Sequence, residues 1–182
     1  MNLLGYFKTT TASLDEVSPT VWNSAAKTDH YADPAANYQG AVLEQYKMYV
    51  EMADRVSARR ALTNTFFLTL NTLIATLGGT LGKELAVVDV RYLAVPTVAL
   101  LVQCAAWFWL LRSYRQLNSA KYIVVGALEE RLPASPYWRA EWKALGEGRD
   151  PSRYWPLTHL EQWIPASFAV VYVAGFITAA VV

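Results

Sequence analysis

Residues Ala61 to Gly82 run for 22 positions without a charged side chain. A hydrocarbon core about 30 Å thick needs roughly 20 apolar residues in a helix to cross it. The uncharged run follows directly on YKMYVEMADRVSARR, which starts at Tyr46 and is charged and amphipathic. No proline separates the two parts, and Ala58, Ala61 and Leu62 at their junction are good helix formers. The stretch therefore predicts one long helix that enters a bilayer just after Arg59 and Arg60.

The membrane half of that helix has two unlike sides. At 100° per residue, Phe66, Phe67, Leu70, Leu73, Ile74, Leu77 and Leu81 share one side. Asn64, Asn71, Ala75, Gly78 and Gly82 share the other, with Thr65, Thr69, Thr72 and Thr76 in a row beside them. The bulky side suits lipid. The small and polar side suits other helices, because small residues allow close approach and Asn or Thr can bond across helices. Asn64, Thr65, Thr69, Asn71, Thr72, Thr76 and Gly78 are accordingly read as a face for oligomer contacts or for lining a hydrated path.

Two more runs are long and apolar enough to span. Tyr92 to Leu111 is uncharged, with Pro96 near its start and Trp107, Phe108 and Trp109 at its far end, where an aromatic belt belongs. Trp163 to Val182 is also uncharged, with Pro165 read as lying in a first helical turn. Thr158, His159 and Glu161 precede it. Thr158 and Glu161 have capping-box spacing, which sets a helix start at Thr158, and the three residues form a candidate cap and interface.

The parts between follow. Residues 1–40 are mostly irregular, punctuated by Pro19 and Pro34, with room for one short helix. Residues 41–60 form an amphipathic helix continuous with the first span at 61–82. A short loop at 83–91 leads to the second span at 92–111. Residues 112–162 form a polar helical region whose first helix ends at Pro133 and Pro136, and 163–182 is the third span.

Lys and Arg set the orientation. Arg55, Arg59, Arg60, Arg112, Arg115 and Lys121 flank the membrane on one side, which the positive-inside rule makes cytoplasmic. The N-terminus is then inside. Asp54 joins these bases in a charged mouth with three readings: headgroup contact, pairing that sets the assembly, or a ring that binds or filters anions.

A net charge of +1 gives no basic field for nucleic acid. The single cysteine, Cys104, excludes an intrachain disulfide. His30 and His159 have no third ligand at a metal-site spacing, and no nucleophile-elbow, zinc-protease, P-loop or paired-cysteine motif is present. No enzyme, metal or cofactor is expected.

The blocks YKMYVEMADRVSARR, NTFFLTLNT, RSYRQLNSAKY, EERLPASPY, LGEGRD and LTHLEQWIP, in this order, resemble the RipA-like family of small octameric bacterial membrane proteins. The resemblance covers about Gln45 to Tyr172. It implies a homo-octamer in a bacterial cytoplasmic membrane and brings no catalytic residues with it. The expected protein is all-α, with three transmembrane helices, helical extensions into the cytoplasm and a homo-oligomeric ring that contacts lipid. Its expected function is a pore, channel or scaffold. The alternative is a membrane-anchored adaptor whose cytoplasmic layer binds another protein.

Overall fold

The computed structural model describes residues 11–81, 89–150, 152–154 and 157–181. Every regular element among them is helical. The four principal helices are α1 (Leu14–Val21), α2 (Pro34–Thr80), α3 (Val90–Glu129) and α4 (Leu157–Val181). Three of them are long and apolar enough to cross a membrane. The chain divides into two compact units: Met1–Ser57 with Arg115–Trp155, and Ala58–Tyr114 with Pro156–Val182.

The helix starts follow from local chemistry. Ser13 accepts from the Glu16 N–H at 3.2 Å and caps α1. The Ser13–Glu16 spacing is a capping-box signal in the weakly patterned N-terminal segment, and it places the short helix there. Asp33 precedes α2, with its Oδ1 3.5 Å from the Ala36 N–H, and Pro34 takes the first helical position, where a missing N–H costs nothing. Asp89 accepts from the Arg91 N–H at 2.9 Å at the start of α3. Of the charged residues in the 83–91 loop, Lys83 and Glu84 lie outside the described residues, as does Gly82.

Two expectations about helix ends are corrected. The helix that leaves the second span stops at Glu129, short of the Pro133 and Pro136 boundary. A buried carboxylate there draws the chain back, as described below. Pro165 is not in a first turn: α4 begins at Leu157, so the proline is internal and leaves the Glu161 carbonyl without its helical donor. Pro165 is fully buried, which fits a site where helices pack.

In the first unit, the chain after α3 folds as a single π turn over Pro136–Glu141, a short helical turn over Trp142–Ala144 and a 3-10 turn over Gly146–Gly148. Residues Gly146, Glu147 and Gly148 all have positive φ, of 76°, 55° and 70°. Two glycines in three residues let the backbone take that path with little strain.

Gly126 has a different reason. A Cβ placed on it would lie 2.6 Å from Cδ2 of Trp138. Its bare surface lets the indole lie directly on α3. On helix propensity alone Gly126→Ala would gain about 1 kcal/mol. We expect a net loss of about 1–3 kcal/mol, because a rigid ring must be displaced from a packed site. Protease sensitivity around Trp138 and a shift in tryptophan emission would read it.

Candidate functional site

The second unit is built around a polar line inside its apolar helices. Asn71 of α2 is 0% exposed. Its Nδ2 donates to the Phe67 carbonyl at 2.8 Å. Its Oδ1 accepts from the Tyr172 hydroxyl of α4 at 2.7 Å and lies 3.9 Å from the Cys104 Sγ of α3. About two turns away along α2, Asn64 Oδ1 accepts from the Trp107 Nε1–H at 3.2 Å. Trp107 is 0% exposed, stacks on Phe67 with ring centroids 5.6 Å apart, and meets Phe168 at 6.1 Å. One side chain from each of the other two helices, Cys104 of α3 and Tyr172 of α4, thus converges on Asn71.

This placement revises the polar face expected on α2. Asn64 and Asn71 bond within their own protomer: both amide atoms of Asn71 are engaged there, as is the Oδ1 of Asn64. Thr65, Thr69, Thr72, Thr76 and Gly78 are exposed. Thr76 donates to the Thr72 carbonyl at 2.8 Å, a bond within its own helix. A Cβ on Gly78 would meet nothing within 4 Å. The wheel merged two neighbouring surfaces: an asparagine line that holds one subunit together, and a threonine row that lies open.

The charged set divides between the units. In the second, Arg60 Nε lies 3.4 Å from Glu161, each side chain 17% exposed, so this pair ties α2 to α4. Arg112 lies over the Trp109 ring at 5.8 Å, and Arg59 is exposed. The candidate cap is partly answered by Glu161, whose role is that ion pair. The side chains of Thr158 and His159 lie outside the described residues.

In the first unit, Arg55 pairs with Glu51 at 2.6 Å on its own helix, and Asp54 is exposed. Lys121, expected in the charged mouth, is buried within its own chain. It is 8% exposed, with its ammonium 4.7 Å from the Tyr49 ring centroid. Arg115 is part-buried. Arg55 and Lys121 are thus engaged by side chains of their own protomer.

The centre of the first unit is a residue that the sequence presented as one of two acids in EERLPASPY. Glu129 is 1% exposed. Its carboxylate accepts from the Ser135 hydroxyl at 2.6 Å, the Trp138 N–H at 3.0 Å, the Tyr137 N–H at 3.1 Å and the Tyr46 hydroxyl at 3.0 Å. Two of these donors are backbone groups at the start of the π turn, where orphan N–H groups favour an anion. Beside it, Arg131 donates to Tyr38 at 2.6 Å and lies 3.5 Å over the Trp22 ring, holding the segment after α1.

Burial pushes the Tyr46 hydroxyl well above its usual value, with the hydrogen bond and charge of Glu129 adding to the effect. The sign follows. The folded state favours the neutral phenol, so this contribution is complete below the unfolded value of about 10 and is lost as pH rises above it. Tyr46 should stay un-ionised when exposed tyrosines have titrated. Tyr46→Phe should remove one late component from the tyrosinate absorbance titration and leave the early components unchanged.

Three apolar helices with a buried polar line define a multi-pass membrane protein. The model of the octameric membrane protein family matches residues 43–181, and the chain belongs to that family. No curated protein and no solved structure matches the chain. The family match agrees with the resemblance carried by the ordered sequence blocks and extends it to the end of α4.

Proposed function

We propose that this chain is the repeating subunit of a homo-octameric scaffold in a bacterial inner membrane, with its N-terminus in the cytoplasm and no catalytic activity of its own. The observation that carries the reading is the commitment of Asn71 and Asn64 within the protomer. The two asparagines of the first span bond within one subunit, and the fully buried Asn71 is not available to line a water path. The family's name supports eight copies, and the flanking bases support the orientation. The exposed threonine row is then the surface for neighbouring subunits and lipid, since small residues and threonine allow helices to approach closely.

The same threonines favour a second reading, a hydrated channel, because an exposed row of hydroxyls is the polar surface that remains on α2. Reconstitution separates the two. For the scaffold we expect a solubilised particle with the mass of about eight chains, a lipid-filled axis and no ion flux above that of empty vesicles. Flux that falls on Thr69→Val or Thr72→Val, with particle mass unchanged, would replace the scaffold by the channel. A particle with the mass of one chain would end both.

A further inference from the structure

We propose that neighbouring copies lock together through their first units, with Met48 and Met52 of one copy inserted into a cleft on the next. The inference rests on the octamer proposed above and goes on to say which surfaces meet. Chains threaded into a bilayer in one orientation share the membrane normal. Their closed assembly is therefore cyclic, and each contact joins two different patches. The first unit carries two such patches.

One is a stripe on α2. Met48 and Met52, one turn apart, are 58% and 42% exposed. They lie in the charge-bearing stretch before Arg59, outside the uncharged spans that lipid would cover. The neighbouring charges are already compensated on the same helix: Lys47 bonds Glu44 at 2.8 Å and Arg55 bonds Glu51 at 2.6 Å. Methionine is flexible and polarisable, and it fills irregular apolar gaps well.

The other patch is a cleft of about 170 Å³ bordered by Ala12 and Val17 on one side and by Gln116, Ala120 and Val124 of α3 on the other. Among the described residues, no charged side chain lines it. It has room for about five waters, and an apolar lining gives them few partners. The stripe and the cleft match in charge: neither asks the other to desolvate an unpaired ion. That is the composition expected at the centre of an interface, where charged residues are depleted and Met is enriched.

Cross-linking between two separately tagged chains tests the assignment. Both carry Cys104→Ser; one adds Met52→Cys and the other Ala120→Cys. They are co-expressed, oxidised gently in membranes and compared with each chain expressed alone, and the mass of the complex is measured in parallel. The expected result is a disulfide-linked dimer bearing both tags, formed only when both chains are present. Dimers of the Met52→Cys chain alone would overturn the proposal, because they would place like patches together. Absence of the mixed dimer from a particle that keeps the mass of about eight chains would overturn it and leave the octamer standing. A particle with the mass of one chain would overturn both.

Discussion

Glu129→Ala should destabilise the first unit by on the order of 3–5 kcal/mol, the largest effect expected from a single substitution there. The buried carboxylate accepts four hydrogen bonds from part-buried groups. Removing it leaves the N–H groups of Tyr137 and Trp138, and the hydroxyls of Ser135 and Tyr46, without their acceptor. An unmet buried donor costs about 1–3 kcal/mol. The backbone pair will find water only if the π turn lifts from α3. Hydrogen exchange at the Tyr137 and Trp138 amides is the direct measurement, and protection should fall by orders of magnitude in Glu129→Ala. Glu129→Gln keeps one acceptor oxygen but turns an amide donor toward other donors, so it should lie between. Tyr46→Phe removes one of the four bonds and should cost about 1 kcal/mol. Amides that stay protected in Glu129→Ala would show that the turn is held by the packing of Trp138 on Gly126 and not by the carboxylate.

What the sequence disclosed follows the physics of each part. The three apolar helices were legible because a bilayer imposes a length and an absence of charge, and both can be read one residue at a time. The two faces of α2 were separated less well. Asn71 and Thr72 are adjacent in sequence, and a helical wheel alone does not say which neighbour another helix of the same chain will cover. Tyr172 and Trp107 decide that, from 101 and 43 residues away from Asn71 and Asn64 respectively. Glu129 was hidden altogether. An acid before another acid and an arginine looks solvated, and only the return of residues 135–138 gives it four donors. The burial of Lys121 was hidden in the same way, since the Tyr49 ring that its ammonium faces lies on another helix. The one missed signal that was local is Ser13 with Glu16, which marks α1 without any tertiary contact.

Trp107→Ala is the corresponding large effect in the second unit. In water, truncating a buried tryptophan costs about 3–5 kcal/mol. Inside a bilayer lipid is as apolar as the core it replaces, so the loss comes from packing and from the hydrogen bond, not from burial away from water. We therefore expect about 3 kcal/mol, toward the low end of that range. For a chain of this size that is a fall of about 6–12 °C in the temperature at which the solubilised protein loses its helical circular dichroism. Trp107→Phe keeps a ring between Phe67 and Phe168 and removes only the donor to Asn64. Asn71→Leu keeps the rings and removes the acceptor for Tyr172. Each should cost about 1–2 kcal/mol. If the two polar bonds act in one line, the double variant Trp107→Phe with Asn71→Leu should depart from the sum of the singles, as contacts in one network do. Strict additivity would make them separate clasps on α2. A Trp107→Ala protein as heat-resistant as the parent would mean that contacts between subunits, rather than this core, hold the three helices in place.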